Sequence, residues 1–201
     1  MASAMHSQEP EGDWGVLQVD LKNAFNTLMR LAILVGVRRR FPEGSHWMAT
    51  CYGQASFLFA DGTVLLSTTG VPLGDNASPA AFCLGTHEVW EALEGIDGLL
   101  WQAWYMDDGT LVGRLSALEE ALQRITRLGA ERGLQVNLGK CVLWTPASAE
   151  AVTSHAALSE VHRPPYAPTE GIRVLGATVV HPAGDGGFSR RLFDKSLGQM
   201  S

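Results

Sequence analysis

The stretch Tyr105-Met106-Asp107-Asp108-Gly109 is the strongest structural signal in the sequence, because it places a short acidic turn between two apolar runs, residues 101–104 and 110–113. Both runs are rich in strand-forming residues and Asp-Gly is a preferred turn pair, so the pattern predicts a β-hairpin. Two adjacent carboxylates at its tip repel each other, which makes sense if a divalent cation such as Mg²⁺ binds there. The alternative is a solvated turn, the usual explanation of an isolated Asp-Gly.

A third carboxylate, Asp20, ends the apolar run of residues 14–19. If that strand lies beside the hairpin, Asp20 meets Asp107 and Asp108. Three carboxylates on adjacent strands are the arrangement that two-metal phosphoryl transfer requires, with the ions about 3.5–4 Å apart. One ion activates an attacking hydroxyl and the other stabilises the leaving pyrophosphate, so the protein mainly supplies positioning and charge neutralisation.

The remaining periodicities predict an α+β domain, an antiparallel sheet with helices packed on one face. Helices are expected over residues 24–40, 45–52, 77–93 and 116–132, and strands over residues 16–19, 56–60, 63–67, 142–144 and 173–179. The first helix should bury Leu28, Leu31, Ala32 and Val35. The third is apolar nearly all round and should be buried. Ser116 and Glu119 form a capping-box pattern at the start of the fourth, whose apolar face is Leu118, Ala121, Leu122, Ile125 and Leu128.

Five segments, in order, resemble the A to E motifs of reverse transcriptases. They are Asp20-Leu-Lys-Asn-Ala24-Phe25, Gly70-Val-Pro-Leu-Gly74-Asp-Asn-Ala-Ser78-Pro79, Tyr105-Met-Asp-Asp108, Gly133-Leu-Gln-Val-Asn137-Leu-Gly-Lys140-Cys141 and Val174-Leu-Gly-Ala177. The first and fourth are most similar to non-LTR retrotransposon enzymes. A single motif is a weak signal, but five in order are a strong one.

The resemblance implies a polymerase palm in residues 13–180, after a disordered segment of residues 1–12 and before a truncated connection toward a thumb, residues 181–201. Fingers and thumb are expected to be largely missing. The implied activity is RNA-directed DNA polymerisation, in which a dNTP is joined to a primer 3′-hydroxyl with Mg²⁺ or Mn²⁺. RNA template and DNA primer are the implied partners, together with further domains of a larger retroelement polyprotein.

The resemblance also assigns roles to individual residues. Asp20, Asp107 and Asp108 would be the metal ligands, and Lys140 would protonate the leaving pyrophosphate, although it is otherwise a surface lysine. Phe25 would be a steric gate beneath the nucleotide sugar; otherwise it is a core aromatic.

Two residues of the second motif, Leu73 and Gly74, would lie next to the nucleotide. Leu73 departs from the family, which usually has Gln there. The loss of a hydrogen-bonding group worth about 0.5–1.5 kcal/mol should weaken nucleotide selection without removing a metal ligand.

Composition indicates one domain inside a cell. The 201 residues are 46% hydrophobic and bury one good core. Cys51, Cys83 and Cys141 have no metal-binding or disulfide spacing and are expected to be reduced core residues. The N-terminus lacks the apolar segment of a signal peptide, and no apolar run approaches about 18 residues, so we expect an intracellular protein, nuclear or cytoplasmic, that neither is secreted nor spans a membrane.

The net charge of −6 is unusual for a protein that would hold a nucleic-acid duplex. The Arg38-Arg39-Arg40 triplet at a predicted helix end is explained as well by the helix dipole as by phosphate binding. Three hypotheses therefore remain: a catalytic palm of a larger enzyme, a folded but inactive remnant of one, and a nucleic-acid-binding scaffold that reuses the palm. Retention of all three acids argues against the scaffold.

Overall fold

The computed structural model describes residues 13–72, 74–164, 172–174 and 177–179. The strands are β1 (Trp14–Val19), β2 (Ser56–Ala60), β3 (Thr63–Ser67), β4 (Leu99–Tyr105), β5 (Asp108–Arg114), β6 (Val142–Trp144), β7 (Ile172–Val174) and β8 (Ala177–Val179). The helices are α1 (Ala24–Thr27), α2 (Arg30–Arg40), α3 (Ser45–Tyr52), α4 (Ser78–Glu91), α5 (Leu115–Ala130), α6 (Ala149–Thr153) and α7 (Ala156–Ser159), with a 3₁₀ turn at Pro42–Gly44.

The central sheet has the order β4-β5-β1-β6 and is antiparallel throughout. Side chains alternate between its two faces, and Leu17, Leu111 and Leu143 on one face are fully buried. Helix α5 covers that face with Leu118, Ala121, Leu122 and Ile125, as its periodicity predicts. The predicted α+β class, with helices on one face of an antiparallel sheet, is confirmed. The acidic hairpin β4–β5 is also where the sequence places it.

The predicted capping box at the start of α5 is wrong. The helix begins at Leu115, with Arg114 as N-cap and no side-chain cap hydrogen bond. The Glu119 carboxylate instead contacts His155 Nδ1 at 2.8 Å and accepts a hydrogen bond from the Ala157 amide at 3.0 Å. Glu119 therefore joins α5 to α7, an element that the sequence reading did not predict.

The single helix predicted over residues 24–40 is broken at Leu28 and Met29, which have extended backbone conformations. The Leu28 carbonyl accepts a hydrogen bond from Gly70, and the Met29 amide donates one to the Arg132 carbonyl. Helix α2 starts afresh after this break, so its buried face has a different phase from the predicted one. Leu28 is buried, but Leu31 and Val35 are exposed and Ala32 is half-buried; the buried residues of α2 are Arg30, Ile33, Gly36 and Val37.

Helix α4 is not buried all round, because Ala80 and Cys83 are exposed. It packs closely against α2 on one side: a Cβ at Gly36 would lie 2.0 Å from the Leu84 carbonyl oxygen, so only glycine allows this approach. Cys51 is also exposed, and of the three cysteines only Cys141 lies in the core. The prediction that all three are core residues is therefore wrong for two of them.

The hairpin β2–β3 has the predicted bounds, and its turn residues Asp61 and Gly62 have φ of 48° and 75°. The strand predicted over residues 173–179 is instead two antiparallel strands, β7 and β8, in which Ile172 pairs with Val179. The predicted disordered N-terminal segment and the predicted connection toward a thumb lie outside the described residues. In the part of the chain that the structure describes, no helix has the length and apolar character to cross a membrane.

Candidate active site

The strand pairing brings Asp20 beside the acidic hairpin. In the β1–β5 ladder Val19 pairs with Gly109, and the next antiparallel step places Asp20 opposite Asp108. Residues opposite each other in such a pair point to the same face of the sheet. By alternation, both carboxylates lie on the face opposite to Leu17, which packs against the helices.

The third acid, Asp107, lies in the turn itself. Tyr105 pairs with Asp108, so only Met106 and Asp107 connect the two strands. Met106 has a φ of 57°, in the left-handed region that a two-residue hairpin turn requires. The turn therefore presents Asp107 and Asp108 at one end of the sheet, next to the end of β1.

The acids interact electrostatically. Partial burial raises the pKa of Asp108 above its ordinary value, and the neighbouring charges of Asp107 and Asp20 raise it further. The Asp20 Oδ2 atom is buried and has no hydrogen-bond partner among the described residues. An unsatisfied carboxylate oxygen close to the charge of Asp108 is a favourable environment for a cation.

These side chains do not yet form a closed set of ligands. Among the residues that the structure describes, no group of three His, Cys, Asp or Glu side chains is arranged to hold a metal ion. Mg²⁺ is usually bound through one or two carboxylates, with water and substrate phosphates completing its octahedral shell. The acids therefore fit a divalent cation in donor chemistry and charge, with part of the shell left to a substrate.

A segment that follows α5 fixes the backbone of Asp20. The Asn137 amide donates to the Asp20 carbonyl at 2.9 Å, and the Asp20 amide donates to Cys141 Sγ at 3.5 Å. The Lys22 amide donates to the Gln135 carbonyl at 2.7 Å. Sequence reasoning missed the supporting roles of Asn137 and Cys141, although both belong to the fourth motif quoted above.

Lys140 lies on this same segment. Its amide donates to the Asn137 carbonyl at 2.9 Å, and its side chain is exposed. The structure thus places Lys140 next to Cys141, which contacts Asp20, but gives it no ion pair with a described residue. Its assignment as a proton donor stays a prediction.

Phe25 is half-buried, and one face of its ring is covered. The ring stacks on that of Phe82, with centroids 4.5 Å apart and planes within 3°. The Phe25 carbonyl accepts a hydrogen bond from the Val71 amide at 2.8 Å. Phe25 is therefore held between α4 and the loop that precedes it. Its assignment as a steric gate stays a prediction.

The loop before α4 depends on two glycines with positive φ. Gly70 has a φ of 69°, and a Cβ there would lie 2.5 Å from the Phe25 carbonyl oxygen. Gly74 has a φ of 90° and is exposed, with open space where a Cβ would be. Leu73 lies outside the described residues, so the consequence of this departure from the family pattern stays a prediction.

Arg30 connects this loop to the neighbouring hairpin. Although Arg30 is buried, its guanidinium donates to the Gly70 carbonyl, to the Gln54 carbonyl at 2.6 Å and to Ser67 Oγ at 3.0 Å. A buried cation is tolerated when several acceptors satisfy it. Sequence reasoning missed this residue, which it placed on a continuous helix.

Tyr52 and Asp75 make a second connection to the loop. The Tyr52 hydroxyl donates to Asp75 Oδ2 at 2.6 Å, which lowers the pKa of Asp75. Burial of the Tyr52 ring and this same hydrogen bond raise the pKa of Tyr52. Asp75 also accepts a hydrogen bond from the Ala77 amide at 3.0 Å, so it orders the backbone that leads into α4.

An antiparallel sheet with helices on one face and acids at a hairpin tip is the arrangement that the resemblance predicts for a polymerase palm. The sequence model of the family described as reverse transcriptase (RNA-dependent DNA polymerase) matches residues 2–179. The chain therefore belongs to the reverse transcriptase family.

Solved telomerase structures have a similar fold. An apo telomerase from Candida tropicalis truncated from its C-terminal domain matches with a TM-score of 0.53 and 16% identity, over 72% of this chain and 32% of that one. Telomerase from Candida albicans in complex with a fragment of telomeric RNA matches with a TM-score of 0.52 and 14% identity, over 72% of this chain and 28% of that one. This chain thus spans about a third or less of the length of the telomerases it matches. No curated protein matches it.

Proposed function

We propose that the chain is the palm of an RNA-directed DNA polymerase of retrotransposon origin. The observation that supports this proposal is the placement of Asp20 opposite Asp108 of the acidic hairpin, with no hydrogen-bond partner for Asp20 Oδ2 among the described residues, in a chain of the reverse transcriptase family. The proposed substrates are a dNTP, a DNA primer and an RNA template. Mg²⁺ or Mn²⁺ would be the cofactor.

Each residue has a defined task in this proposal. Asp20, Asp107 and Asp108 would hold divalent cations, which, when bound, supply activation of the primer hydroxyl and neutralisation of the pyrophosphate charge. Phe25, which is braced against Phe82, would contact the sugar of the incoming nucleotide and exclude a 2′-hydroxyl. Two further residues complete the assignment: Lys140 would donate a proton to the pyrophosphate, and Gly74 would let the loop backbone approach the nucleotide.

One observation favours the alternative of a folded remnant without polymerase activity. Arg39 forms an ion pair with Glu88, and Arg40 forms one with Glu91. Two arginines of the basic triplet are thus paired with carboxylates of α4, which reduces the cationic surface that the described residues offer to phosphates in a chain of net charge −6. The proposed larger polyprotein, acting inside the cell in the nucleus or cytoplasm, would then have to supply the contacts to template and primer.

Two measurements separate these possibilities. Paramagnetic broadening by Mn²⁺ should affect amides around Asp20 and Asp108 and should be lost in the Asp107→Asn/Asp108→Asn variant. The control is Asp97→Asn, since Asp97 is exposed and lies near the opposite end of β4. Broadening that survives the double substitution would contradict the metal site.

The second measurement is primer extension on an RNA template with dNTPs and Mg²⁺. Incorporation that disappears in the Asp107→Asn/Asp108→Asn variant supports the polymerase. The remnant hypothesis is supported if Mn²⁺ binds at the acids but no nucleotide is incorporated. Incorporation must be absent both for the chain alone and in the presence of the rest of the proposed polyprotein.

A further inference from the structure

The indole ring of Trp104 fills the space beside Gly109. The two residues pair across β4 and β5. A Cβ at Gly109 would lie 2.3–2.7 Å from Cζ3, Cη2 and Cε3 of Trp104, so the ring lies directly against the Gly109 backbone. Glycine at this position is therefore required by the cross-strand tryptophan, an arrangement in which an aromatic ring covers a glycine in a sheet.

The Trp104 ring is itself held from two directions. It stacks on Trp90 of α4, with centroids 3.6 Å apart and planes within 11°. Its Nε1 donates to Gln102 Oε1 at 3.0 Å, and Gln102 Nε2 donates to the Trp90 carbonyl at 3.3 Å. The indole is therefore fixed relative to helix α4, and a stacked aromatic pair in a partly buried site resists displacement.

The contact between Trp104 and Gly109 lies next to the carboxylates. Gly109 follows Asp108 directly, and it pairs with Val19 of β1 on one side and with Trp104 on the other. Val19 in turn precedes Asp20. A shift of the Gly109 backbone therefore changes the position of Asp108 relative to Asp20.

We propose that Trp104 is a positioning residue for the carboxylates: clamped between Trp90 and Gly109, it sets where Asp107 and Asp108 stand relative to Asp20. This inference rests on the proposed function of those acids as metal ligands. By alternation Trp104 lies on the helix-packed face, opposite to Asp108, so it would not contact a metal ion held by the acids.

The test is a double-mutant cycle read out by Mn²⁺ affinity, measured from the electron paramagnetic resonance signal of free Mn²⁺. The variants are Trp104→Val, Gly109→Ala and the two combined, studied well below the melting temperature of each. Both single variants should weaken Mn²⁺ binding by about 10-fold to 100-fold, the size typical of residues that orient metal ligands. The combined variant should bind better than Gly109→Ala alone, because the added methyl group no longer meets an indole ring.

The matched control is Trp47→Val, which removes an indole that is 54% exposed on α3. It should leave Mn²⁺ affinity unchanged. If Trp104 only contributes to core stability, the folded variants will melt earlier but bind Mn²⁺ as the parent does, and that result would overturn the proposal. A combined variant that is weaker than either single one would overturn it too.

A second readout does not depend on the metal. Amide hydrogen exchange at Asp108 and Gly109 should become faster in Trp104→Val and stay unchanged in Trp47→Val. If the parent chain binds no Mn²⁺, the proposed function fails, while altered exchange confined to the Trp104 and Gly109 variants still supports positioning. If amide exchange at Asp108 and Gly109 is unaltered in both Trp104→Val and Gly109→Ala, Trp104 is not a positioning residue, whatever the Mn²⁺ affinities are.

Discussion

The environments of Asp20 and Asp108 lower the stability of the fold when these carboxyl groups are ionised. Asp20 Oδ2 has no hydrogen-bond partner in the part of the chain that the structure describes, and the pKa of Asp108 is raised by burial and by two like charges. A carboxyl group whose pKa is raised by folding binds its proton more tightly in the folded state. Its ionisation therefore lowers the free energy of unfolding as the pH rises through that pKa. Such a cost is expected where function, rather than packing, determines the residue.

The first prediction follows from this sign. Asp108→Asn removes the repelling charge, so it should raise the melting temperature at neutral pH, by a stabilisation of no more than about 1 kcal/mol because the group is largely solvent-exposed. The gain should disappear as the pH falls below the ordinary carboxyl pKa, where the parent group is protonated as well. Thermal melting across pH checks this, with Asp97→Asn as the control. A loss of stability at neutral pH in Asp108→Asn would contradict the prediction.

The second prediction concerns Phe25, whose ring stacks on Phe82. If Phe25 is a steric gate, the Phe25→Val substitution should narrow the preference for deoxynucleotides over ribonucleotides while the fold is retained. If Phe25 is only a core aromatic residue, the same substitution should lower the free energy of unfolding by about 1–4 kcal/mol and leave the preference between the two nucleotide types unchanged.

Competitive incorporation of the two nucleotide types and thermal melting should be measured on the same proteins, in the presence of the rest of the proposed polyprotein if the chain alone is inactive. Phe82→Leu is the control, because it removes the stacking partner but keeps the Phe25 ring. A Phe25→Val protein that melts earlier yet discriminates as the parent does would refute the gate.

Elements with local signals could be predicted from the sequence, and those that depend on distant backbone could not. Hairpin β2–β3 follows from an Asp-Gly turn between two strand-forming runs, and its bounds match the prediction. The break at Leu28 depends on hydrogen bonds with Gly70 and Arg132, which no local pattern encodes. Glu119 fits a capping box by spacing, but His155 and the Ala157 amide bind its carboxylate instead. The positions of the three acids could be predicted because Asp20 directly follows β1, Asp107 lies in the hairpin turn and Asp108 begins β5.

The carboxylate of Glu88 links α4 to α2 and to the segment that follows α5. Glu88 of α4 binds Arg39 of α2 and, at 2.7 Å, Arg132 just beyond α5. The hydrogen bond from Arg132, assisted by the charge of Arg39, lowers the pKa of Glu88. A carboxyl group with a lowered pKa stabilises the fold above its ordinary pKa, and this contribution is lost as the pH falls through the folded-state value.

The third prediction tests this connection. Glu88→Gln should lower the free energy of unfolding by about 1 kcal/mol at neutral pH, since the pairs are only partly shielded from solvent. The difference from the parent should shrink in acid. Denaturant unfolding at neutral and at acidic pH measures this difference in the free energy of unfolding. The control is Glu94→Gln, at an exposed position on the turn after α4. Equal losses in the two variants would show that the ion pairs contribute nothing specific.

For the molecule as a whole, one face of hairpin β2–β3 is an exposed apolar surface. Phe57 pairs with Leu66 and Phe59 with Val64, so four large apolar side chains share that face. All four are exposed, Phe57 by 66% and Phe59 by 80%. The sequence predicted this hairpin but not its exposure, because alternation cannot tell which face finds a partner.

The last prediction is that this face makes the chain self-associate. Contiguous exposed apolar patches and uncovered strand edges favour association in water, whereas single exposed apolar residues do not. Phe57→Ser/Phe59→Ser should therefore lower the fraction of oligomer in sedimentation velocity at equal concentration, with little change in melting temperature. The control is Leu31→Ser, which changes an apolar side chain that is 69% exposed on a different element, α2, and should leave association through the hairpin face unchanged. If both proteins sediment as the parent does, the hairpin face is not the surface through which the chain associates.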